Sequence, residues 1–525
     1  MFHVEPSKAV FEKPHPAHLL FVLNACATLG PDYQEPKIKW LDDWQSDLYG
    51  QIGSPEQQSQ IDLRFWWRLF DDPVLNGLIE LAKQENPSLR IAGLRILESL
   101  AALGIAKGNR YPQVQQAIGA IDYVNTQKHG GSATDRNQSL GSYQVGLNLG
   151  WELDFWGRFK RGIESADAAF FASINNQQDA QVLLSAQVAD LYFAYYTTLL
   201  RIDVARNNAA IQKRSYEITG RRFQSGQDSE LDLQQAKTQY LSTLATMPDF
   251  EITLTQIRNS LCALLGRAPG DLPELPDKVE TLPTVDPVVI QDIPARLLMR
   301  RPDIRAAAWQ VAVQSAQIGI AEADLYPAIS ILGNIGWSGN TLSGTPVTGG
   351  LAIGPSFTWN LFNYGRIKNN VRVQDARLQQ SIENFQNSVL QTAREIDDAA
   401  ISIVKTGEQK RTLGEAVNAA KRSLKLATSR YREGYSDFQR VLEAQRAVAT
   451  QTEQEVVNNG SHISAVINFY KAIGGGWLET PVEQLVPESL RNTMETRSDW
   501  GDLLSAPLPA NPEYSPPASE VSHHE

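Results

Sequence analysis

Large apolar residues alternate with small or polar ones over residues 143–155. Tyr143, Val145, Leu147, Leu149, Trp151, Leu153 and Phe155 interleave with Gln144, Gly146, Asn148, Gly150, Glu152 and Asp154. Period two puts the large groups on one face of a strand and the small ones on the other. A less regular segment, Val114 to Tyr123, precedes it, and a polar loop, His129-Gly130-Gly131-Ser132 through Ser139, lies between them. The pattern then returns. Ile329, Ile331, Gly333, Ile335 and Trp337 are followed by a Gly/Ser/Thr loop from Ser338 to Gly350. Leu351, Ile353, Pro355, Phe357, Trp359 and Leu361 then alternate with Ala352, Gly354, Ser356, Thr358 and Asn360. Four strands of about 10 residues each are predicted, the length that crosses a bilayer at a tilt. Trp151, Phe155 and Trp156, and Phe357, Trp359 and Phe362, gather toward one end, like an interfacial girdle. A half-buried strand of a soluble sandwich would alternate in the same way.

After each strand pair the chain changes to the helical period. No proline occurs between Pro112 and Pro248, or between Pro355 and Pro481, and both stretches are rich in Ala, Gln, Leu, Arg and Glu. Residues 159–220 and 367–430 are predicted as helices of about 60 residues, roughly 90 Å long. Each turns at Gly226 or Gly434 and runs back to Leu265-Gly266 or Ile473-Gly474. Helices of this length imply a coiled coil. Its seams are small, as in Ala166-Asp167-Ala168-Ala169 and Ala416-Val417-Asn418-Ala419-Ala420. Pro248 predicts a break or kink in the first return helix. Upstream, Trp66-Trp67-Arg68-Leu69-Phe70 leads to Asp72-Pro73, an N-cap with proline at the first helical position. Helical spacing then runs to about Ala106, with a break at Asn86-Pro87, and Tyr111-Pro112 ends it.

These elements occur twice at a fixed spacing. Arg366 lies 208 residues after Arg158, Gly434 lies 208 after Gly226, and Gly474 lies 208 after Gly266. The chain therefore divides into a leader (1–25), an extended arm (26–65) and a first copy (66–270). A linker (271–293), a second copy (294–477) and a C-terminal segment (478–525) with a Pro-rich tail complete it. A constant offset over this length is an internal duplication.

Net charge over the 525 residues is -11, which disfavours nucleic acid as a partner. The hydrophobic fraction is 42%, and no run approaches the ~20 apolar residues of a spanning helix. A membrane crossing would then need a closed barrel. No phosphate loop, H-E-x-x-H, G-x-S-x-G or paired-Cys zinc spacing is present, so no enzyme chemistry, cofactor or metal is expected. The two cysteines differ. Cys262 sits in an apolar helix end as a small hydrophobe. Cys26 closes Leu23-Asn24-Ala25-Cys26 after the apolar run Leu19–Leu23. That resembles a bacterial lipoprotein signal with Cys26 as the lipidated first residue; an ordinary leader is the alternative.

The doubled helix–strand–strand–hairpin unit, with Gly30-Pro31-Asp32-Tyr33, Trp66-Trp67, Asp72-Pro73, Arg300-Arg301-Pro302-Asp303-Ile304 and Ala321-Glu322-Ala323-Asp324-Leu325-Tyr326-Pro327, resembles the TolC-like outer membrane efflux proteins. The head resembles their lipoprotein, NodT-type branch. The resemblance implies a mixed α and β homotrimer. Four strands per chain would form a shared twelve-stranded outer-membrane barrel, continued by a periplasmic helical tunnel. It implies passive conduction of drugs or small toxic compounds from an inner-membrane pump of the resistance-nodulation-division type, in a Gram-negative cell. A duct for type I protein secretion and a pore-free coiled-coil lipoprotein are the competing readings. A periplasmic adaptor is expected to dock on the tips, at Arg222, Phe223, Gly226, Arg430, Tyr431 and Gly434. Glu443, with Arg440 and Asp232, is expected to form a periplasmic gate.

Overall fold

A computed structural model describes residues 27–38, 40, 49, 62–126, 138–285, 298–341 and 346–509. The leader, Cys26, most of the arm, the 127–137 loop, residues 286–297 and the tail from 510 lie outside the described residues. A 3-10 helix, Leu63–Phe70, leads to α1 (Pro73–Glu85), α2 (Pro87–Gly108), β1 (Val114–Thr126) and β2 (Gln138–Leu153). The first hairpin is α3 (Arg158–Gln224) and α4 (Glu230–Leu264). The second copy supplies α5 (Pro302–Ala323), β3 (Ala328–Asn340), β4 (Thr348–Thr358), α6 (Arg366–Arg432) and α7 (Phe438–Ala472). Two short helices, α8 (Val482–Leu485) and α9 (Glu488–Arg497), come after them.

The described residues cluster into two units, each drawing on both copies. The first takes residues up to 34, 102–167 and 312–379, and contains the sheet. Its order is β1-β2-β3-β4, antiparallel throughout. The copies are joined where β2 meets β3, from Leu153↔Ile329 to Ser142↔Asn340. Register extends the alternation across strands: Ala117, Leu147, Ile335 and Leu351 share one face, and Asn148, Asn334 and Ala352 share the other. Tyr143, Val145, Leu147, Trp337, Leu351, Ile353 and Phe357 on the apolar face are all exposed. A contiguous exposed apolar face needs lipid or protein against it. β1 and β4 each pair on one side only.

The strands run 13, 16, 13 and 11 residues, longer than expected, and β3 and β4 extend into the Ser338–Gly350 loop. The polar start of β2, Gln138–Gly141, does not alternate, so pairing to β1 rather than side-chain pattern makes it strand. The aromatic ends do the reverse. Phe155, Trp359 and Leu361 lie beyond the strands, and Trp359 donates to the Leu325 carbonyl just past the end of α5.

The second unit takes 35–101, 168–311 and 380 onward. Asp72 caps α1 by accepting from Val74 and Leu75 backbone N–H groups. The break at Asn86-Pro87 is present, and Asn86 accepts from Leu89 N–H while donating to the Leu264 carbonyl. Trp66, fully buried, stacks on Tyr470 at 5.5 Å. The two long helices are 67 residues each, about 100 Å. Gly226, Gly434, Gly266 and Gly474, at φ 73, 82, 67 and 76, end the four hairpin helices in left-handed turns. The break expected at Pro248 does not occur: α4 is helical through it. The proline lacks one N–H and so removes a single ladder bond, and the helix continues on both sides of it to a length of 35 residues. The 208-offset position is Val456.

Arg301 ties several ends of this unit together. It donates to Ala472 O at 2.5 Å and pairs with Asp303 at 2.6 Å and Glu395 at 3.3 Å. Asp179 faces the same small cavity. Burial and the neighbouring Asp303 carboxylate push its pKa up to about 6.

Candidate functional site

The hairpin tips carry the residues singled out from sequence. Each long helix ends on a glycine because only a left-handed residue lets the chain reverse there. Gln227 N–H then returns to Arg222 O at 2.8 Å, and Tyr435 N–H to Arg430 O at 2.9 Å. The backbones of the tips are thus alike. Their side chains are not.

In the first tip, Arg222 Nε lies 3.0 Å from Asp228 Oδ1, and its guanidinium sits 4.9 Å from the Tyr431 ring centre. The Tyr431 hydroxyl donates to Asp228 Oδ2. Asp228, with a side chain 7% exposed, therefore joins both tips. Burial, then the bond to Asp228, pushes the Tyr431 pKa up to about 12. Beneath this link, Ala236 packs with Tyr431, Phe438, Val441 and Leu442, with Tyr216, Ile218, Leu424 and Ala427 around them. Asp228 was missed in the sequence. A signal was present: the 208-offset position is Ser436, so the charge occurs in one copy only.

The expected docking residues divide accordingly. Tyr431 is 5% exposed and faces its neighbour hairpin, whereas its counterpart Phe223 is 38% exposed. Arg222 is engaged, and Arg430 is exposed. Tyr435 and Leu231 extend the exposed apolar surface of the tips.

The expected gate residues also separate. Asp232 completes a capping box with Ser229, accepting from its backbone N–H and its hydroxyl. The counterpart Arg440 has no carboxylate to do this, and Asp437 alone caps α7. Arg440 instead lies 3.8 Å from Glu443, both well exposed. Gln439 donates to Glu443 at 3.3 Å. Among the described residues no group of three or more His, Cys, Asp or Glu is placed to hold a metal. No described helix is long and apolar enough to cross a membrane.

A four-stranded sheet with an apolar face and open edges cannot sit in lipid alone. Joined in sequence to two long hairpins, it defines one subunit of a multi-chain membrane channel. The model of the outer membrane efflux protein family matches the chain twice, over residues 78–267 and 293–475. The probable outer membrane lipoprotein SilC of Salmonella typhimurium is 29% identical over 469 residues, 88% of this chain and 98% of that one. Nodulation protein T of Rhizobium leguminosarum bv. trifolii is 27% identical over 461 residues, 87% and 96% of the two chains. Among solved structures, the outer-membrane channel OprN is 29% identical and superposes with a TM-score of 0.75 over 86% of this chain and 100% of that one. The chain belongs to the outer membrane efflux protein family. Its fold is the TolC-like one, a trimeric outer-membrane barrel with four strands from each chain and a periplasmic helical tunnel.

Proposed function

We propose that the trimer is the outer-membrane duct of a tripartite efflux system, conducting drugs or other small toxic compounds passively to the exterior. A resistance-nodulation-division type pump supplies the energy, and a periplasmic adaptor engages the tips. The observation that carries this reading is the buried link of Arg222, Asp228 and Tyr431, because it gives the tips a closed state that a docking partner can break. Exposed Phe223, Arg430 and Tyr435 offer that partner an apolar and cationic surface around Gly226 and Gly434. Glu443 with Arg440 lies at the entrance, where three copies of Glu443 attract cations and repel one another, and Asp232 fixes the start of α4 in the other hairpin. Cys26 carries the lipid anchor.

Deleting the gene and challenging the strain with a panel of small toxic compounds tests the reading. Raised susceptibility, restored by the wild-type chain, is the expected result. Unchanged susceptibility with loss of a secreted protein would point to a type I secretion duct instead.

A further inference from the structure

The segment after Cys26 is seated in a slot built from glycines. Gly157, at φ 73, has no room for a Cβ, which would come within 2.9 Å of Thr28. A Cβ on Gly319 of α5 would meet Leu29 O at 2.5 Å, and one on Gly30 would meet Gly319 Cα at 2.5 Å. Residues 28–32 thus run between the start of α3, from the first copy, and α5, from the second. Leu29 N–H donates to Trp156 O at 3.2 Å, and Lys160 Nζ donates to Thr28 Oγ1 at 3.3 Å. Arg161 closes the slot. Its side chain is only 5% exposed, and it donates to Leu29 O at 2.9 Å, Gly30 O at 3.0 Å and Asp32 Oδ1 at 2.8 Å. Glu164 holds the guanidinium from the other side at 2.7 Å.

Among the described residues the slot has no second copy. At the 208-offset positions stand Gly365, whose Cβ would meet only the Asn369 amide at 3.7 Å, and Asn369 itself in place of Arg161. The duplication thus supplied two helix starts, and one was fitted to a strap. That strap lies at the end of the sheet. Trp156 donates to Pro327 O at 2.8 Å and stacks on Tyr326, two residues before β3 begins at Ala328. Such aromatic pairs sit at the interface of a bilayer. Cys26 is two residues from Thr28, and consecutive Cα atoms are about 3.8 Å apart, so an acyl group on Cys26 starts within roughly 8 Å of the slot.

We propose that Arg161 is a positioning residue for the lipid anchor: it clasps residues 28–32 so that acyl chains on Cys26 enter the leaflet beside the β2–β3 seam and present each chain's open strand edges to the membrane for trimer assembly. This rests on lipidation of Cys26 in the proposed function. An isolated chain has only four strands and two open edges, so a tether at the sheet's own base raises the local concentration of partners where pairing must occur.

A double-mutant cycle tests it, read as the pulse-chase half-time for SDS-resistant trimer. The variants are Arg161→Ala, Arg161→Lys and Gly319→Ala, each in the lipidated chain and in Cys26→Ser carried behind a leader cut by the general signal peptidase. Mass spectrometry of the mature N-terminus accompanies each. In the lipidated chain all three variants slow assembly several-fold, about as much as loss of the lipid. In the unlipidated chain they add little. If each variant costs the same in both backgrounds, the clasp only cements the fold and the proposal is overturned while lipidation stands. A wild-type N-terminus without acyl chains overturns the lipidation reading, and this proposal with it.

Discussion

The two hairpin tips share a backbone and differ in chemistry. Both reverse on a left-handed glycine, and both close with the same return hydrogen bond. The first keeps Asp228 and buries it between Arg222 and Tyr431; the second has Ser436 there and leaves Arg430 outside. The first caps its return helix with Ser229 and Asp232; the second puts Arg440 at that position and turns it toward Glu443. Duplication preserved what local geometry demands. It released the side chains whose roles depend on a neighbour. The first copy contributes the arginine and the acid of the lock and the second its tyrosine, while the second also carries the exposed Arg430, Arg440 and Glu443.

Breaking the lock is the strongest way to test this division. Asp228→Ala leaves Arg222 with only the Tyr431 ring beside it and frees the Tyr431 hydroxyl, a loss of about 1–3 kcal/mol. Conductance of the closed channel in planar bilayers should rise many-fold; no rise would mean the link does not hold the tips. Tyr431→Phe removes one hydrogen bond and keeps the ring on Phe438, so a smaller opening is expected, worth about 1 kcal/mol. Ser436→Asp sharpens the contrast by giving Arg430 the acid that Arg222 has. Closed conductance should fall modestly, and an increase would refute the equivalence of the tips. Glu443→Ala and Arg440→Ala disturb an exposed pair worth no more than about 1 kcal/mol. Each should shift conductance or cation selectivity slightly, and no change in either would remove both residues from the gate.

Asp179 belongs to neither tip and serves as the control. Its folded-state pKa is raised, so its contribution to stability is full below 3.8 and is lost as pH rises through about 6. Asp179→Asn should flatten the pH dependence of trimer melting across that window and leave tip conductance unchanged. A flat wild-type profile would show that the cavity around Arg301 does not hold the acid as the geometry requires.

Much of this architecture was legible because it is periodic or terminal. The alternation at Tyr143–Leu153, the 67-residue helices, the Asp72 cap and the four glycine stops all arise from residues within a turn or two of each other. The misses share a cause. The polar start of β2 is strand only because β1 pairs with it, and Pro248 does not end α4 because a single ladder bond is lost there. Asp228 acquires its role from Tyr431, 203 residues away. Arg161 reads as one more helix-start cation until Leu29, Gly30 and Asp32 are seen around it.

The sequence by itself determined the duplication, the two periods, the helix ends and the family resemblance, since each is written in short-range spacing. The tertiary structure alone decided which copy of each pair points inward and which acid is buried. It also decided which helix start receives the N-terminal strap. Those outcomes depend on groups brought together from distant parts of the chain, where burial makes one partner costly to leave unpaired and exposure makes its duplicate free to change.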